Sequence, residues 1–470
     1  PKFTPYRSET DLMSDSMRAC DSFRIVPETA LVATNTSGMS ITEIAKAVHL
    51  PERFMGQHWL NPPHLIPLLR LFASHGEAAY PVGGCVRDTL MDIPPHDWDV
   101  AVTTIPHDTM AICHAAGYRT VPTGLKHGTV TILAPLSGDP QDREGAYEMI
   151  ECTTCRTEGG YSDGRHPDAV AFTGLIEDDL SRRDFTVNAM AFTQNGDTLS
   201  VLDLFGGQDD LKSRIIRAVG GPDTRFTEDA LRLLRGVRFA VKLGFTIEEN
   251  TYAAMIRKAE GLSRISRERI SEEFQKILTS PEPERGIRLL TETGLLPYVL
   301  PHGISPMGTG KLSSLPADFT TRMACLMWGK DDTKVQENLA GLRLPNTVRK
   351  DILTLTRSAV MEAGATPKQA RQWRHALGEL TLPALTVRRA REEDTAETDA
   401  LIRLVETSIE RNEPVRIADL DINGTDLIAL GFKPGRLLQD ILCDLLEVVW
   451  NDPAKNTREE LIKEAIRRKD

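Results

Sequence analysis

The sequence predicts an α+β protein in which a small unit built around a β-sheet precedes a long helical region. Between residues 68 and 211, a helical start, LLRLFASHGE, is followed by short β-rich runs such as HDWDVAV and GTVTILA. From residue 211 onward, apolar residues recur at three- and four-residue spacing with few strand signals. The chain has 470 residues, which is enough for roughly two to four domains.

The composition is that of an ordinary globular chain. A formal net charge of -11, with 26% charged and 40% hydrophobic residues, excludes wholesale disorder. No run approaches the roughly 18 apolar residues that cross a bilayer, and no signal-peptide layout is present, so we expect a cytoplasmic protein without a membrane partner. The seven cysteines indicate reduced thiols. Cys152 and Cys155 form a lone CxxC, which favours two thiols on a strand over a metal or redox site.

The run YPVGGCVRDTLMDIPPHDWDVAV, residues 80–102, carries the main chemical signal. Asp97 and Asp99 lie one residue apart in an extended stretch, so strand alternation points both carboxylates to one face. Adjacent carboxylates repel unless a cation holds them, and hard oxygen ligands suit Mg²⁺. Upstream, Gly84 lets the backbone approach a triphosphate closely, and Arg87 offers a fork for phosphate oxygens. Together these residues predict nucleotidyl transfer, with a solvated turn as the alternative for the aspartates alone.

A third carboxylate is expected on a neighbouring strand. The run YEMIECTT contains two candidates, Glu148 and Glu151. Strand alternation places residues 149 and 151 on one face and residue 148 on the other. The pattern therefore favours Glu151, with Glu148 as the alternative.

The run FTEDALRLLRGVRFA predicts a site that selects the base of the incoming nucleotide. Asp229 and Arg232 lie three residues apart at the start of a predicted helix, so they should be neighbours on its surface. A carboxylate accepts from an exocyclic amine, and arginine donates to a ring nitrogen or a carbonyl oxygen. Cytosine and adenine both offer an amine beside an acceptor nitrogen, whereas uracil and guanine present a carbonyl at the amine's place. The pair could pass CTP and ATP and reject UTP and GTP, although an isolated EDxxR is usually only an exposed ion pair.

These motifs, together with VPTGLKHGTVTI and EDDLSRRDFTVNAMAF, resemble in order and spacing those of class II tRNA nucleotidyltransferases. That family comprises the CCA-adding enzymes and their bacterial poly(A) polymerase relatives. The resemblance implies a nucleotidyltransferase head of the polymerase-β-like type, followed by an all-helical neck, body and tail. The implied domains are an N-terminal extension (1–69), the catalytic head (70–212), a nucleotide-selecting neck (213–280), and a tRNA-binding body (281–405) and tail (406–470).

The resemblance implies template-independent addition of CCA to the 3′ end of tRNA from CTP and ATP, with release of pyrophosphate. In this family the aspartate pair binds two magnesium ions, which corresponds here to Asp97 and Asp99. The strand pattern, not the resemblance, makes Glu151 the candidate for the third catalytic carboxylate. The implied nucleotide-binding residues are Gly84, Arg87, Arg183, Asp184, Asp229, Arg232, Arg235 and Arg238. A poly(A) polymerase shares every catalytic motif and is the alternative, but PTGLKHGTVTI and the tail favour CCA addition.

Residues 22–69 resemble a different family, the 3-hydroxyacyl-CoA dehydrogenases. The resemblance would place Ser37 and His58 in that family's active site, with Asn61 beside them. No strand, G-x-G-x-x-G and helix unit precedes the segment, so nothing can cradle the pyrophosphate of NAD. Arg70 also stands where the family has a glutamate. We therefore interpret the segment as a grafted remnant, and a non-catalytic RNA-binding protein fused to that remnant is the second alternative.

Close to the end of the chain, the run RLLQDILCDLLEVVW predicts an amphipathic helix. Leu437, Ile441, Leu445 and Val449 should share its apolar side. The preceding run, LDINGTDLIALGFKPG, resembles the family's tail, which is expected to bind tRNA by shape and phosphates.

Overall fold

The computed structural model describes most of the chain from residue 65 onward. The described residues are 65–125, 128–137, 139–142, 144–159, 169–195 and 198–468, together with the short strands β1 (Val32–Thr34) and β2 (Phe54–Gly56). These two strands pair in parallel. The chain divides into two compact units, and the division falls between residues 211 and 212.

The first unit is built around a mixed β-sheet. Its strands are β3 (Ala79–Pro81), β4 (Trp98–Val102), β5 (Arg119–Gly124), β6 (Thr129–Pro135), β7 (Tyr147–Thr154), β8 (Arg156–Gly159), β9 (Ala169–Phe172), β10 (Met190–Asn195) and β11 (Thr198–Asp203). Its helices are α1 (Leu65–Ser74), α2 (Gly84–Leu90), α3 (Pro106–Ala115), α4 (Ile176–Ser181) and α5 (Gly207–Ser213), the last of which reaches past the division. Five strands form one sheet in the order β3-β4-β7-β6-β5, in which only β4 and β7 run parallel. β8 pairs with β9 and β10 pairs with β11, both antiparallel.

One face of the five-stranded sheet packs on a hydrophobic core. Val100 and Val102 of β4 point into this core and are 1% and 0% exposed. Leu68 and Phe72 of α1 belong to the same cluster because apolar residues recur every three or four positions along that helix. Burying a side chain of this size contributes roughly 1.5–3 kcal/mol. Alternation along β4 therefore turns Asp99 to the opposite face of the sheet.

The second unit is helical in its described residues apart from one parallel strand pair, β12 (Ile215–Ile216) and β13 (Thr246–Ile247). Its helices are α6 (Pro222–Glu228), α7 (Leu231–Leu243), α8 (Glu249–Lys258), α9 (Arg267–Leu278), α10 (Pro283–Glu292), α11 (Leu296–Val299), α12 (Phe319–Met327), α13 (Asp332–Gly341), α14 (Asn346–Arg357), α15 (Pro367–Leu377), α16 (Thr381–Arg391), α17 (Ala396–Glu410), α18 (Gly424–Ala429), α19 (Arg436–Asn451) and α20 (Arg458–Ile466). Short 3₁₀ turns lie at Thr186–Asn188 in the first unit and, in the second, at Ala259–Arg264, Leu312–Ser314, Ser358–Val360, Gly378–Leu380, Ile417–Asp419 and Pro453–Lys455. No helix in the described ranges combines the length and the apolar character needed to cross a bilayer.

Helices α7 and α9 pack against each other and carry the residues predicted to select the nucleotide. α7 buries Leu234 and Val237 completely, and α9 buries Phe274 completely. Gly244 ends α7 with a φ of 69°. A left-handed conformation at this position favours glycine because a side chain would add steric strain.

The tail forms its own hydrophobic cluster, and it corrects one residue of the predicted apolar stripe. Ile441, Leu445 and Val449 of α19 are 4%, 0% and 0% exposed and pack with Leu461 of α20. Leu437, by contrast, is 57% exposed. It is the second residue of α19, so it lies in the first turn, beyond the part of the helix that the cluster covers.

Three predicted domain boundaries fall inside helices. The boundary between residues 69 and 70 lies within α1, the one between residues 212 and 213 lies before the last residue of α5, and the one between residues 405 and 406 lies within α17. Helices α1 and α17 continue through these points because their apolar faces are buried, as Leu69 and Val405 show with 1% and 0% exposure. The five-domain division stays a prediction.

Candidate active site

Two carboxylates lie at the start of β4. Asp97 directly precedes the strand and is exposed, whereas Asp99 is its second residue and is half-buried. Burial and the neighbouring Asp97 carboxylate raise the pKa of Asp99 to about 6, and Arg183 acts in the opposite direction. The two acidic groups therefore repel each other unless a positive charge joins them.

Glu151 lies beside Asp99 on the adjacent parallel strand. The Cα atoms of Asp99 and Glu151 are register partners between β4 and β7. Glu151 is exposed, and its charge also raises the pKa of Asp99. Glu148, the other candidate, is the register partner of Ala134 and points to the opposite face by alternation. The structure thus brings Asp97, Asp99 and Glu151 together, and the catalytic role of Glu151 stays a prediction.

The chemistry of these donors fits a hard divalent cation. Mg²⁺ prefers oxygen ligands and usually takes one or two carboxylates from the protein, completing its shell with water and substrate phosphates. Asp97 and Asp99 supply that number of carboxylates, and a cation would relieve their repulsion. Among the described residues, no group of three or more His, Cys, Asp or Glu side chains is arranged to hold a metal ion. A metal here would share its coordination shell with the substrate.

The lone CxxC takes no part in this site. Cys152 lies in β7 and Cys155 directly follows that strand, and both thiols are free and buried. Burial raises the pKa of Cys155 to about 12 and that of Cys152 well above its ordinary value. Protonated thiols are poor metal ligands and poor nucleophiles.

A buried aspartate holds the two arginines of the SRRDF motif. Asp179 is 1% exposed; its Oδ1 accepts from Arg182 Nε at 3.0 Å, and its Oδ2 accepts from Arg183 Nη2 at 2.9 Å. Burial acts to raise the pKa of Asp179, but the two guanidinium groups outweigh it and the pKa is lowered. Gly83, with a φ of 79°, gives Arg183 its space, because a Cβ there would lie 2.6 Å from Arg183 Nη1.

A cavity of about 290 Å³ opens on the same face of the sheet. Its lining includes the side chains of Asp99 and Asp179 and those of three arginines, Arg156, Arg182 and Arg183. Among the lining residues the three arginines outnumber the two aspartates, and Asp97 and Glu151 add negative charge close to Asp99. The combination suits an anionic ligand that reaches Asp99 together with a cation.

The Arg87 side chain is held by neighbouring residues inside the head. Its side chain is buried at 3% exposure; Nε donates to Asp88 Oδ1 at 2.7 Å and Nη1 to Asn188 Oδ1 at 2.6 Å. Asn188 Nδ2 in turn donates to Asp184 Oδ1 at 3.3 Å. Two of its nitrogens thus bond neighbours inside the head, and the contact with Asn188 helps to orient Asp184. The nucleotide-binding roles of Gly84, Arg87 and Asp184 stay predictions.

The sequence predicts that Asp229 lies on the surface of α7. In the structure, Asp229 lies just before that helix. The helix begins at Leu231, and Asp229 has an extended backbone at the end of α6. Its Oδ1 accepts from the Leu231 amide at 3.0 Å, as a capping side chain does, and its Oδ2 accepts from Arg269 Nη2 at 2.8 Å. Asp229 is therefore fixed by α7 and α9 together, and it does not pair with Arg232 through i,i+3 spacing on one helix.

The three arginines of α7 differ in surroundings. Arg232 is 8% exposed, and its Nη1 donates to Glu228 Oε2 at 2.7 Å. Arg238 Nη1 donates to Glu273 Oε1 at 3.0 Å. The guanidinium of Arg238 lies 4.4 Å from the ring centre of Phe239, and that of Arg235 lies 5.3 Å from it. These contacts hold the arginines at separate positions. This is expected, because residues three positions apart are rotated by about 300° around an α-helix and therefore do not form one stripe.

Sequence reasoning missed the residues that hold the predicted ones. Asp179, Asn188, Glu228, Arg269 and Glu273 each bond a predicted site residue. Asp179 and Glu228 carried a local signal, since they lie three or four positions before the arginines that they bind. Arg269 and Glu273 carried a weaker one, because they flank the apolar positions of α9 in the run RERISEEF. Charged residues beside a buried helix face are candidates for buried ion pairs.

Comparison with known domain families covers most of the chain. Residues 79–217 match the Poly A polymerase head domain, and residues 244–305 match the RNA and SrmB-binding site of polymerase A. Residues 321–465 match tRNA nucleotidyltransferase domain 2.

Two known proteins are similar over almost their whole length. The CCA-adding enzyme of Limosilactobacillus fermentum is 34% identical over 415 residues, covering 85% of this chain and 95% of that protein. The CCA-adding enzyme of Latilactobacillus sakei is 36% identical over 430 residues, covering 85% and 96%. This chain belongs to the family of CCA-adding enzymes. It is therefore an enzyme of the nucleotidyltransferase class.

Solved structures confirm the fold class of this CCA-adding enzyme family member. The Bacillus stearothermophilus CCA-adding enzyme in complex with CTP has a TM-score of 0.72 at 30% identity, covering 87% of this chain and 98% of that one. The Thermotoga maritima CCA-adding enzyme complexed with tRNA has a TM-score of 0.64 at 22% identity, covering 86% and 94%. A mixed-sheet unit followed by a helical unit is thus the shared architecture.

The second predicted resemblance is also confirmed. Residues 18–78 match the NAD binding domain of 3-hydroxyacyl-CoA dehydrogenase, overlapping the predicted segment 22–69. Ser37, His58 and Asn61 lie outside the described residues. Relatives of the CCA-adding family align with about 85% of the chain.

Proposed function

We propose that this protein adds C, C and A to the 3′ end of tRNA from CTP and ATP, without a nucleic acid template and with release of pyrophosphate. The observation that carries the proposal is a group of three carboxylates beside a cavity lined by arginines: Asp99 and Glu151 are register partners on adjacent strands, and Asp97 lies close enough to raise the pKa of Asp99. Such a site suits a cation bound to a nucleoside triphosphate. The names of the similar proteins support tRNA as the acceptor.

In the mechanism that we propose, Asp97 and Asp99 would hold two magnesium ions. When bound, the metal lowers the pKa of the primer 3′-hydroxyl and steadies the departing pyrophosphate. Glu151 adds a negative charge next to Asp99, which increases the affinity of the pair for a cation. The protein thereby places the reacting groups without supplying a nucleophile of its own.

Arg183 is proposed to bind the triphosphate. Asp179 holds one edge of its guanidinium through Nη2, and Nη1 extends over Gly83. Phosphoryl transfer depends mainly on positioning and on neutralising the charge of the phosphate oxygens. An arginine that is already held in place meets both needs, and Asp179 acts as its positioning residue.

Asp229 and Arg232 are proposed to select the base. Asp229 would accept from the exocyclic amine, which cytosine and adenine share, and Arg232 would donate to the neighbouring acceptor nitrogen. Arg235 and Arg238 are proposed to contact phosphates. The protein side chains would then replace a template strand.

A poly(A) polymerase is the second candidate because two matched domain families carry that name. The match of residues 321–465 to a tRNA nucleotidyltransferase domain favours CCA addition. A tRNA that lacks its 3′ CCA, incubated with each nucleotide alone and with both, separates the two activities. Two added C residues followed by one A support our proposal, whereas a long A tract supports the polymerase.

The dehydrogenase alternative requires NAD binding, which titration of the purified chain measures directly.

The metal assignment has its own test. Asp97→Ala should abolish incorporation while the far-ultraviolet circular dichroism spectrum is unchanged, because the side chain is exposed and its removal leaves the core intact. Glu148→Gln is the matched control on the neighbouring strand, and it should keep wild-type activity because its side chain points to the other face. Full activity of Asp97→Ala would overturn the assignment.

A further inference from the structure

The sheet face that carries Asp99 has a covered end and an exposed end. Towards the C-terminal ends of β4 and β7, Ala101 is 2% exposed and packs in a cluster with Leu180 of α4. Towards the start of β7, in contrast, Met149 is 66% exposed. Met149 and Glu151 share one face by alternation and lie about 7 Å apart along the strand. An exposed apolar side chain therefore lies next to the carboxylates.

Three more side chains extend this exposed end into a platform, which we define as Arg119, Leu133, Tyr147 and Met149. Arg119 and Leu133 are register partners between β5 and β6, and Leu133 and Met149 are register partners between β6 and β7, so all three point to one face. Tyr147 precedes Met149 by two positions and shares that face. The Arg119 guanidinium lies 4.2 Å from the centre of the Tyr147 ring. An arginine stacked on an aromatic ring beside apolar side chains is typical of sites that bind unstacked bases.

The cavity lies in the opposite direction along the strands. Its lining includes Ala101 and Thr153, which follow Asp99 and Glu151 by two positions. Met149 instead precedes Glu151 by two positions. Because β4 and β7 run parallel, the carboxylates stand between the cavity and the platform. Arginines line the cavity, so the cavity is the end that suits a triphosphate.

The direction of nucleotidyl transfer determines what each end can bind. The 3′-oxygen of the acceptor forms a bond to the α-phosphorus as the bond to the pyrophosphate oxygen breaks, and the hydroxyl proton passes to water. The attacking and leaving oxygens lie roughly in line with the phosphorus. With the pyrophosphate at the cavity, the acceptor approaches from the opposite side, over the platform. The nucleotide that carries the attacking oxygen then has its base beside these side chains.

We propose that the platform binds the unpaired 3′ end of the acceptor tRNA: the last base packs on Met149 and Tyr147, and Arg119 contacts the phosphate that precedes it. This inference rests on the proposed function and deepens it, because it gives the acceptor a site separate from that of the incoming nucleotide. The face of the Arg119 guanidinium is stacked, and its N–H edge can still donate to a phosphate. Stacking tolerates any base, since every base has a π-face. This suits an acceptor whose last base differs from one addition step to the next.

The test separates affinity for the acceptor from affinity for the nucleotide. Met149→Ala and Arg119→Gln should each raise the KM for a tRNA lacking its 3′ CCA about tenfold, while the KM for CTP changes less than about twofold. Both side chains are exposed, so both variants should fold, which thermal unfolding verifies. Ile105→Ala is the matched control, because it shortens an exposed apolar side chain just before α3, which packs on the other face of the sheet. It should keep the wild-type KM for tRNA.

A second measurement tests the stacking contact itself. A tRNA whose last nucleotide lacks its base should have a KM about tenfold higher with the wild-type protein. With Met149→Ala the same change should have a much smaller effect, because the contact is already lost. Effects of the two changes that simply multiply, an equal rise in the KM for CTP, or an unchanged KM for tRNA in the folded variants would each overturn the proposal. Failure of the wild-type protein to add C or A would instead overturn the proposed function itself.

Discussion

Replacing Asp99 by asparagine should abolish activity and, at the same time, make the metal-free protein more stable. The pKa of Asp99 is raised from 3.8 to about 6 in the folded protein by burial and by the adjacent acidic groups. At about 1.4 kcal/mol per pKa unit, this shift corresponds to a ceiling of roughly 3 kcal/mol. Because the side chain is only half-buried, screening by solvent should reduce the gain to about 1–2 kcal/mol. Asparagine keeps the shape of the side chain and removes the charge that causes the cost.

The sign and the pH window follow from proton linkage. Between pH 3.8 and about pH 6 the folded state binds more protons at Asp99 than the unfolded state, so wild-type stability falls as pH rises through this window. The advantage of Asp99→Asn should therefore be complete at about pH 7.5 and shrink to roughly a third at about pH 4.5. Magnesium should also reduce the stability advantage of Asp99→Asn, because the ion binds and stabilises only the wild-type site.

The assay is urea unfolding in EDTA, followed by fluorine NMR of protein labelled with 5-fluorotryptophan. The resonance of Trp98, which is buried next to Asp99, reports on the first unit. Glu148→Gln is the control, because it changes a carboxylate to an amide on the other face of the sheet, and it should shift stability by less than about 0.5 kcal/mol. If Asp99→Asn is no more stable than the wild type at pH 7.5, or gains as much at pH 4.5, the electrostatic reasoning is refuted.

Further predictions concern side chains around the same sites. Gly83→Ala should lower kcat/KM for CTP at least tenfold, because a Cβ would displace the arginine over it, whereas Gly76→Ala, with a similar φ of 77° and open space around it, should not. Asp179→Asn should cost about 3–5 kcal/mol in thermal unfolding by leaving two arginines without their buried partner. Because the folded pKa of Asp179 is lowered, its contribution should persist above pH 3.8 and be lost only as pH falls further. Leu445→Ala should cost about 2–5 kcal/mol, whereas Leu437→Ala should cost less than about 0.5 kcal/mol.

The parts of the site that depend on local pattern could be predicted from the sequence. Alternation along the run HDWDVAV is a property of any strand, so it placed Asp99 on the face opposite Val100 without knowledge of the sheet. Asp97 lies in a bend just before β4, so its closeness to Asp99 does not follow from strand alternation. The choice of Glu151 over Glu148 needed more, since it depends on β7 being the parallel neighbour of β4 in this register. Strand order joins segments that are about fifty residues apart, and periodicity within one segment carries no information about it.

Long-range partners account for what the sequence did not reveal. Arg87 was predicted as a fork for phosphate oxygens, and nothing in the sequence revealed that its guanidinium also contacts Asn188, 101 positions along the chain. Asp229 was placed on a helix that begins only after it, because its extended backbone depends on the junction of α6 with α7. Leu437 was assigned to an apolar stripe that ends one turn short of it. In each case the local pattern was compatible with the prediction, and a tertiary contact or its absence decided the outcome.

The same kind of ion pair occurs in both units. Several charged residues that we assign to the substrate already have a partner of opposite charge: Arg183 has Asp179, Asp229 has Arg269, and Arg238 has Glu273. Such partners fix a side chain before the substrate arrives, which reduces the loss of conformational freedom on binding. They also partly neutralise the charge of that side chain. The arrangement therefore fixes the orientation of the side chain and weakens its electrostatic attraction for the substrate. For an enzyme that must distinguish an amine from a carbonyl without a template, direction is the more useful property, because a misdirected charge attracts every nucleotide alike.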